Sequence, residues 1–192
     1  MLNPIRMCLF FTAWTLLAPL GRAGDFALKD NDTVVFLGDS ITAASSYGKV
    51  VENYTLLRFP DRRVQFINAG HGGDTAAGGL ARLDQDVFRH HATVLLVAYG
   101  INDIGWGMKA DSEHKQKYLD SIRGIVQQCK EHKVRVFICS AAITATDPRK
   151  SESDFLQTMC DEGMAISHSM GEGSIDIQRC MREIQKQIWK AN

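Results

Sequence analysis

The residues of this chain best suited to chemistry stand at the ends of three apolar runs. Gly38-Asp39-Ser40-Ile41-Thr42 directly follows Val34-Val35-Phe36-Leu37, and Gly72-Gly73-Asp74-Thr75 and Gly100-Ile101-Asn102-Asp103 come after the next two runs. A serine hydroxyl becomes a nucleophile when a base accepts its proton and nearby donors stabilise the oxyanion it creates. Glycine backbone N–H groups and an asparagine amide are donors of that kind. Each motif also has an ordinary structural use. Ser40 could cap a helix, the glycine run could be a flexible turn, and Asn102-Asp103 suits a turn. Three polar strand ends in sequence order point instead to one site, with Asp74 expected to pin its loop.

Other readings of the same residues fail on spacing. Thr42 stands where the second glycine of a G-x-S-x-G elbow belongs. Gly48-Lys49 is followed by Val50, which breaks a P-loop pattern, and the glycine loop does not fit G-x-G-x-x-G. No C-x-x-C or H-x-x-x-H spacing occurs, so neither a metal nor a cofactor is expected.

The elements that must hold these residues alternate between short apolar strands and helices. Strands are predicted over Thr33–Leu37, Val64–Asn68, Val94–Tyr99 and Val134–Ser140, with a weaker fifth over Ser174–Ile177. Helices are predicted over Tyr47–Phe59, Gly78–Arg89, Ser112–His132 and Ser151–Met170, with Ser112 as an N-cap and Asp147-Pro148 as a break. The chain ends in a further helix-like segment. This alternation predicts an α/β fold with helices on both faces of a central parallel sheet. No internal repeat or linker divides it, so residues 24–192 are expected to form one domain.

Ser40 in GDSIT, the loop ending GGDT and Asn102 in GIND resemble the first three blocks of the SGNH hydrolases, also called GDSL esterases and lipases. The resemblance is firm from Thr33 to Ser140 and loose beyond. It implies a three-layer α/β/α sandwich on a central parallel sheet, SGNH- or flavodoxin-like, and hydrolysis of carboxylic esters through an acyl-serine, with Ser40 as nucleophile. Gly73 would supply a backbone oxyanion donor and Asn102 a side-chain donor, while Asp39 and Asp103 would fix loops. The family's fourth residue, a histidine in an Asp-x-x-His block after the fifth strand, has no counterpart there, and none is expected elsewhere in the chain. Two explanations follow: a truncated hydrolase, which is the expectation, or an inactive module of the same fold that binds acylated sugar. A flavodoxin-like nucleotide binder is a third, resting on strand order and the glycine loop alone. Among the histidines, His71 in the glycine loop is the first candidate to replace the base or to contact substrate. Trp106, just past the third block, could line an acyl or sugar pocket. The family and the expected export together suggest small acyl esters, including acetylated carbohydrates, as substrates.

Composition bounds the partners. Lys plus Arg and Asp plus Glu number 22 each among 192 residues, so nothing favours a nucleic-acid partner. Residues 1–23 read as a signal peptide: Arg6 is followed by the apolar run Met7 to Leu20, and Gly21 and Ala23 precede the cut. The run is shorter than the ~20 residues of a spanning helix. Export to a periplasmic or extracellular space, without stable membrane insertion, is therefore expected. Cys129, Cys139, Cys160 and Cys180 would remain, either paired or as buried thiols.

Overall fold

The computed structural model describes residues 26–142 and 155–191. The signal segment 1–23 and the Asp147-Pro148 break lie outside the described residues. Five parallel strands form one sheet in the order β2-β1-β3-β4-β5, with β1 Thr33–Gly38, β2 Gln65–Gly70, β3 Val94–Ala98, β4 Arg135–Cys139 and β5 Gly173–Ile175. All five predicted strands are present, with ends shifted by one or two residues.

Side-chain alternation along each strand divides the core between two faces. Val35 and Leu37 of β1, Leu95 and Val97 of β3, and Val136 and Ile138 of β4 share one cluster with Ile122, Ile125 and Val126 of α5 (Ser112–Glu131) and Met159 of α6 (Phe155–Ser169). The intervening Val34, Phe36 and Val94 pack on the other face with Tyr47 and Val51 of α2 (Ser46–Arg58). Burial from both sides explains why these runs are apolar almost throughout.

Two helical predictions differ from what forms. The segment predicted as one helix over Gly78–Arg89 is divided into α3 (Ala76–Ala81), α4 (Leu83–Asp86) and a 3₁₀ turn, Phe88–His90. Gly78-Gly79 gives it little helical propensity, and Arg82 interrupts it at φ −110°, ψ 11°. The N-cap of α5 is Asp111 rather than Ser112, because the Asp111 carboxylate accepts the His114 N–H at 2.9 Å.

The strands end in register. Gly38 lies beside Gly70 and Ala98, Ala98 beside Cys139, and Cys139 beside Ile175. The chain leaves β1 towards β2 on one side and returns to β3 on the other. Between β1 and β3 the connections therefore diverge, which opens a crevice at the carboxyl ends of the strands. The Ser40 and Asn102 motifs flank that crevice.

Candidate active site

Ser40 opens α1 (Ser40–Ala43) but does not cap it. That task falls to Asp39, whose Oδ1 accepts the Ile41 N–H at 2.9 Å. Ser40 is exposed, and among the described residues its hydroxyl has no hydrogen-bond partner. Asp39 itself is buried, and burial, aided by the nearby Asp74 charge, raises its carboxyl above the usual range.

The turn after β1 is braced against the end of β2. Asn68 donates its amide to the Thr42 carbonyl at 2.7 Å, and its Oδ1 accepts the Gly70 N–H at 2.8 Å. Only glycine fits at position 70, since a Cβ there would fall 2.1 Å from the Ala43 nitrogen. The glycine loop continues at Gly73, which adopts φ +74° and stands exposed. Its N–H enters no backbone hydrogen bond among the described residues.

Asp74 pins that loop. Its Oδ1 accepts from the Thr75 N–H at 2.9 Å, while Oδ2 accepts from Arg82 Nε at 2.9 Å and the Tyr99 hydroxyl at 3.0 Å. Arg82 also donates to Tyr99 at 2.8 Å, to the Gly38 carbonyl at 3.2 Å and to Asp86. One guanidinium thus joins the ends of β1 and β3 to the second loop. Sequence reasoning did not bring in Arg82 and gave Tyr99 and Asn68, near or within the motifs, no bracing role. The i,i+4 spacing of Arg82 and Asp86 was the available signal.

Asn102 is held on both sides of its amide. Nδ2 donates to the Asp74 carbonyl at 2.9 Å and lies 3.5 Å from Asp39, while Oδ1 accepts the Trp106 indole N–H at 3.1 Å. These partners fix which end of the amide faces the loop. Trp106, 65% exposed and at φ 58°, is thereby a positioning group for Asn102. Asp103 is buried and accepts the Ala76 N–H at 3.0 Å. Its second oxygen has no hydrogen-bond partner, and burial pushes its carboxyl up to about 6.

All six histidines fall within the described residues, and none hydrogen-bonds to Ser40. His71 turns its Nε2 to 3.8 Å from Asp86 and lines a small cleft with His90. His132 stacks on Phe88 at 3.8 Å, and His168 meets the Ser174 hydroxyl at 2.7 Å. One Asp-x-x-His spacing does exist, at Asp111 and His114, which corrects the expectation that the chain holds none, although it lies far upstream of the place expected after the fifth strand. Its carboxylate lies 2.9 and 3.1 Å from His114 Nδ1. This pair sits at the start of α5, where the same carboxylate caps the helix. The four cysteines Cys129, Cys139, Cys160 and Cys180 are free thiols. Among the described residues no three metal-binding side chains are grouped, and no helix is long and apolar enough to cross a membrane.

An exposed and unpartnered serine hydroxyl, a free backbone N–H and an oriented amide at one sheet edge suit the stabilisation of an oxyanion. Comparison with known proteins points the same way. Residues 36–165 match the model of the GDSL-like lipase/acylhydrolase family. Among solved structures, a gut microbial diltiazem-metabolizing enzyme, BT4096, is 25% identical with a TM-score of 0.71. That match covers 86% of this chain, which spans only 41% of that protein. Axe2, an acetylxylan esterase from Geobacillus stearothermophilus, superposes with a TM-score of 0.74 at 17% identity, covering 84% of this chain and 83% of that one. LAE5, an α/β hydrolase enzyme from the metagenome of Lake Arreo, Spain, gives 0.73 at 19% identity, with 83% of each chain covered. No curated protein matches the sequence.

Proposed function

The chain belongs to the GDSL-like lipase/acylhydrolase family, and from that membership we propose that its site hydrolyses carboxylic esters through an acyl-serine. The observation that carries this reading is the Ser40 hydroxyl: exposed, relieved of capping by Asp39, and without a partner. In the proposed reaction Ser40 Oγ bonds to the acyl carbon, and the carbonyl oxygen takes up negative charge. The Gly73 N–H and the Asn102 amide receive that charge. The ester C–O bond then breaks, and the serine proton ends on the departing alcohol. Water cleaves the acyl-serine, giving the free acid and restoring Ser40.

The base is the weak point of this site. No histidine stands on Ser40, so the full rate requires a general base that the described residues do not bring to the serine. Oxyanion stabilisation and binding alone leave about 10³–10⁴-fold over water. The missing histidine contact also favours a second reading, a module of the same fold that binds acylated sugar without turnover. Export belongs to the proposal as well, resting on Arg6, the apolar run from Met7 and the small residues before Gly24. N-terminal sequencing of the secreted protein should begin at Gly24.

Hydrolysis of an aryl acetate by the full chain, beside Ser40→Ala, tests the ester reading. Repeated turnover that disappears in the variant is the expected result. Equal rates from two folded proteins would reject it in favour of the binding module.

A further inference from the structure

We propose that the apolar groove beside Ser40 is an acyl-chain site, selecting esters of unbranched acids of on the order of four to ten carbons. This rests on the ester reading of Ser40. The groove encloses about 360 Å³ over the β3, β4 and β5 side of the sheet. Asp39 and Ile41, the residues on either side of Ser40 in the sequence, belong to its lining, which brings the groove up to the turn that carries the serine. Leu96, Ala98, Ile101, Ile175 and Met181 supply most of the remaining surface. A methylene group takes up roughly the ~30 Å³ of a liquid water molecule. The volume therefore far exceeds what an acetyl group fills.

The polar side chains along the groove are already committed. Asp39 accepts from the Ile41 N–H, and the Tyr47 hydroxyl pairs with Thr42 at 2.8 Å. Tyr99 is engaged by Asp74 and Arg82. Ser140 donates to Asp176 at 3.0 Å and accepts the Gln178 N–H at 2.9 Å. A sugar placed here would lose its water without gaining partners, whereas a hydrocarbon chain loses nothing. The acyl group also stays bonded to Ser40 through both halves of the reaction. On the other side of β1, a Cβ at Gly72 or Gly73 would meet nothing within 4 Å, which leaves the alcohol an open way out.

The test compares aryl esters from acetyl to dodecanoyl on the full chain, together with Ala98→Leu and the surface variant Met181→Trp, both of which narrow the groove. Specificity, as kcat/KM, should rise about fourfold per methylene up to the groove's capacity. Each variant should lower the octanoyl-to-acetyl ratio at least tenfold. An acetyl optimum, or variants that leave the ratio unchanged, would overturn the proposal while the ester reading stands. Displacement of anilinonaphthalene sulfonate by octanoate, measured in parallel, needs no turnover. Displacement that Met181→Trp weakens supports the groove even if no ester is cleaved. Failure of octanoate to displace the dye, or a dimer whose formation shuts it out, would overturn the proposal.

Discussion

At the scale of single residues, the chemistry turns on which polar atoms are spoken for and which are not. The Asp39 cap leaves Ser40 free, whereas Asn102 is tied at both ends of its amide. An oriented donor contributes most when it need not reorganise as charge develops. Asn102→Ala should therefore lower the Ser40-dependent rate by about 10²–10³ with little change in KM. Trp106→Phe removes only the indole hydrogen bond that aims the amide. Its expected loss is about two- to twelvefold, the value of about 0.5–1.5 kcal/mol for one such bond. Single-turnover acylation with an activated ester measures both. A larger effect from Trp106→Phe than from Asn102→Ala would deny the indole its positioning role. The three motifs were legible because they stand in order at the carboxyl ends of apolar strands, although each alone also suits a cap or a turn. The role of Trp106 was not, since an exposed tryptophan in a glycine-flanked turn signals nothing about its hydrogen-bond partner.

At the scale of elements, the loops are held by a clamp that sequence periodicity hides. Arg82 sits in a segment that reads as continuous helix, yet the chain breaks there and its guanidinium reaches Asp74, Tyr99, Asp86 and the Gly38 carbonyl. Its side chain is only 13% exposed, so removing it strands Asp74 beside a buried tyrosine hydroxyl. Arg82→Ala should cost about 3–5 kcal/mol of unfolding free energy, the range for breaking a buried ion pair. Hydrogen exchange at residues 71–75 should quicken with it. Tyr99→Phe keeps the Arg82–Asp74 pair and should cost nearer ~1 kcal/mol. Chemical denaturation of the two variants separates these values, and equal losses would contradict the clamp. The central strands β1, β3 and β4, by contrast, were legible to within a residue, because burial on both faces demands unbroken apolar runs, whereas the edge strands β2 and β5 are less buried and shifted by up to two residues. Helix limits depended on single caps and breaks, as the Asp111 cap of α5 shows.

At the scale of the whole molecule, the two faces of the sheet are dressed unequally. The α5 and α6 face carries the larger cluster, while on the other side α2 leaves the groove over β3 to β5. The helix α7 (Ile177–Ala191) turns Gln178 and Arg182 inward and leaves Met181, Ile184 and Ile188 substantially exposed. Alternation foretold the three-layer fold but not this groove, because a strand buried by a helix and one lining a cavity have the same composition. Burial also sets how the fold responds to pH. Asp103 carries an unpartnered oxygen in the core, and its carboxyl is raised from 3.8 to about 6. The folded protein therefore holds a proton that the unfolded chain has already released between roughly pH 4 and 6. Where the native state binds more protons, unfolding free energy falls as pH rises. Asp103 thus favours the fold fully below about pH 3.8 and loses that contribution as pH climbs through 6, by about 3 kcal/mol at most. Asp39 is shifted in the same direction. Asp32, Asp161 and Asp176 are lowered, so they stabilise above the unfolded carboxylate range and lose that effect only at lower pH. Asp103→Asn retains an acceptor for the Ala76 N–H and abolishes the titration. Urea unfolding from pH 4.5 to 8 should show the native slope flattened in the variant, with the variant gaining on the parent as pH rises. Parallel curves would mean that Asp103 stays ionised across this range and that its buried oxygen is satisfied in solution.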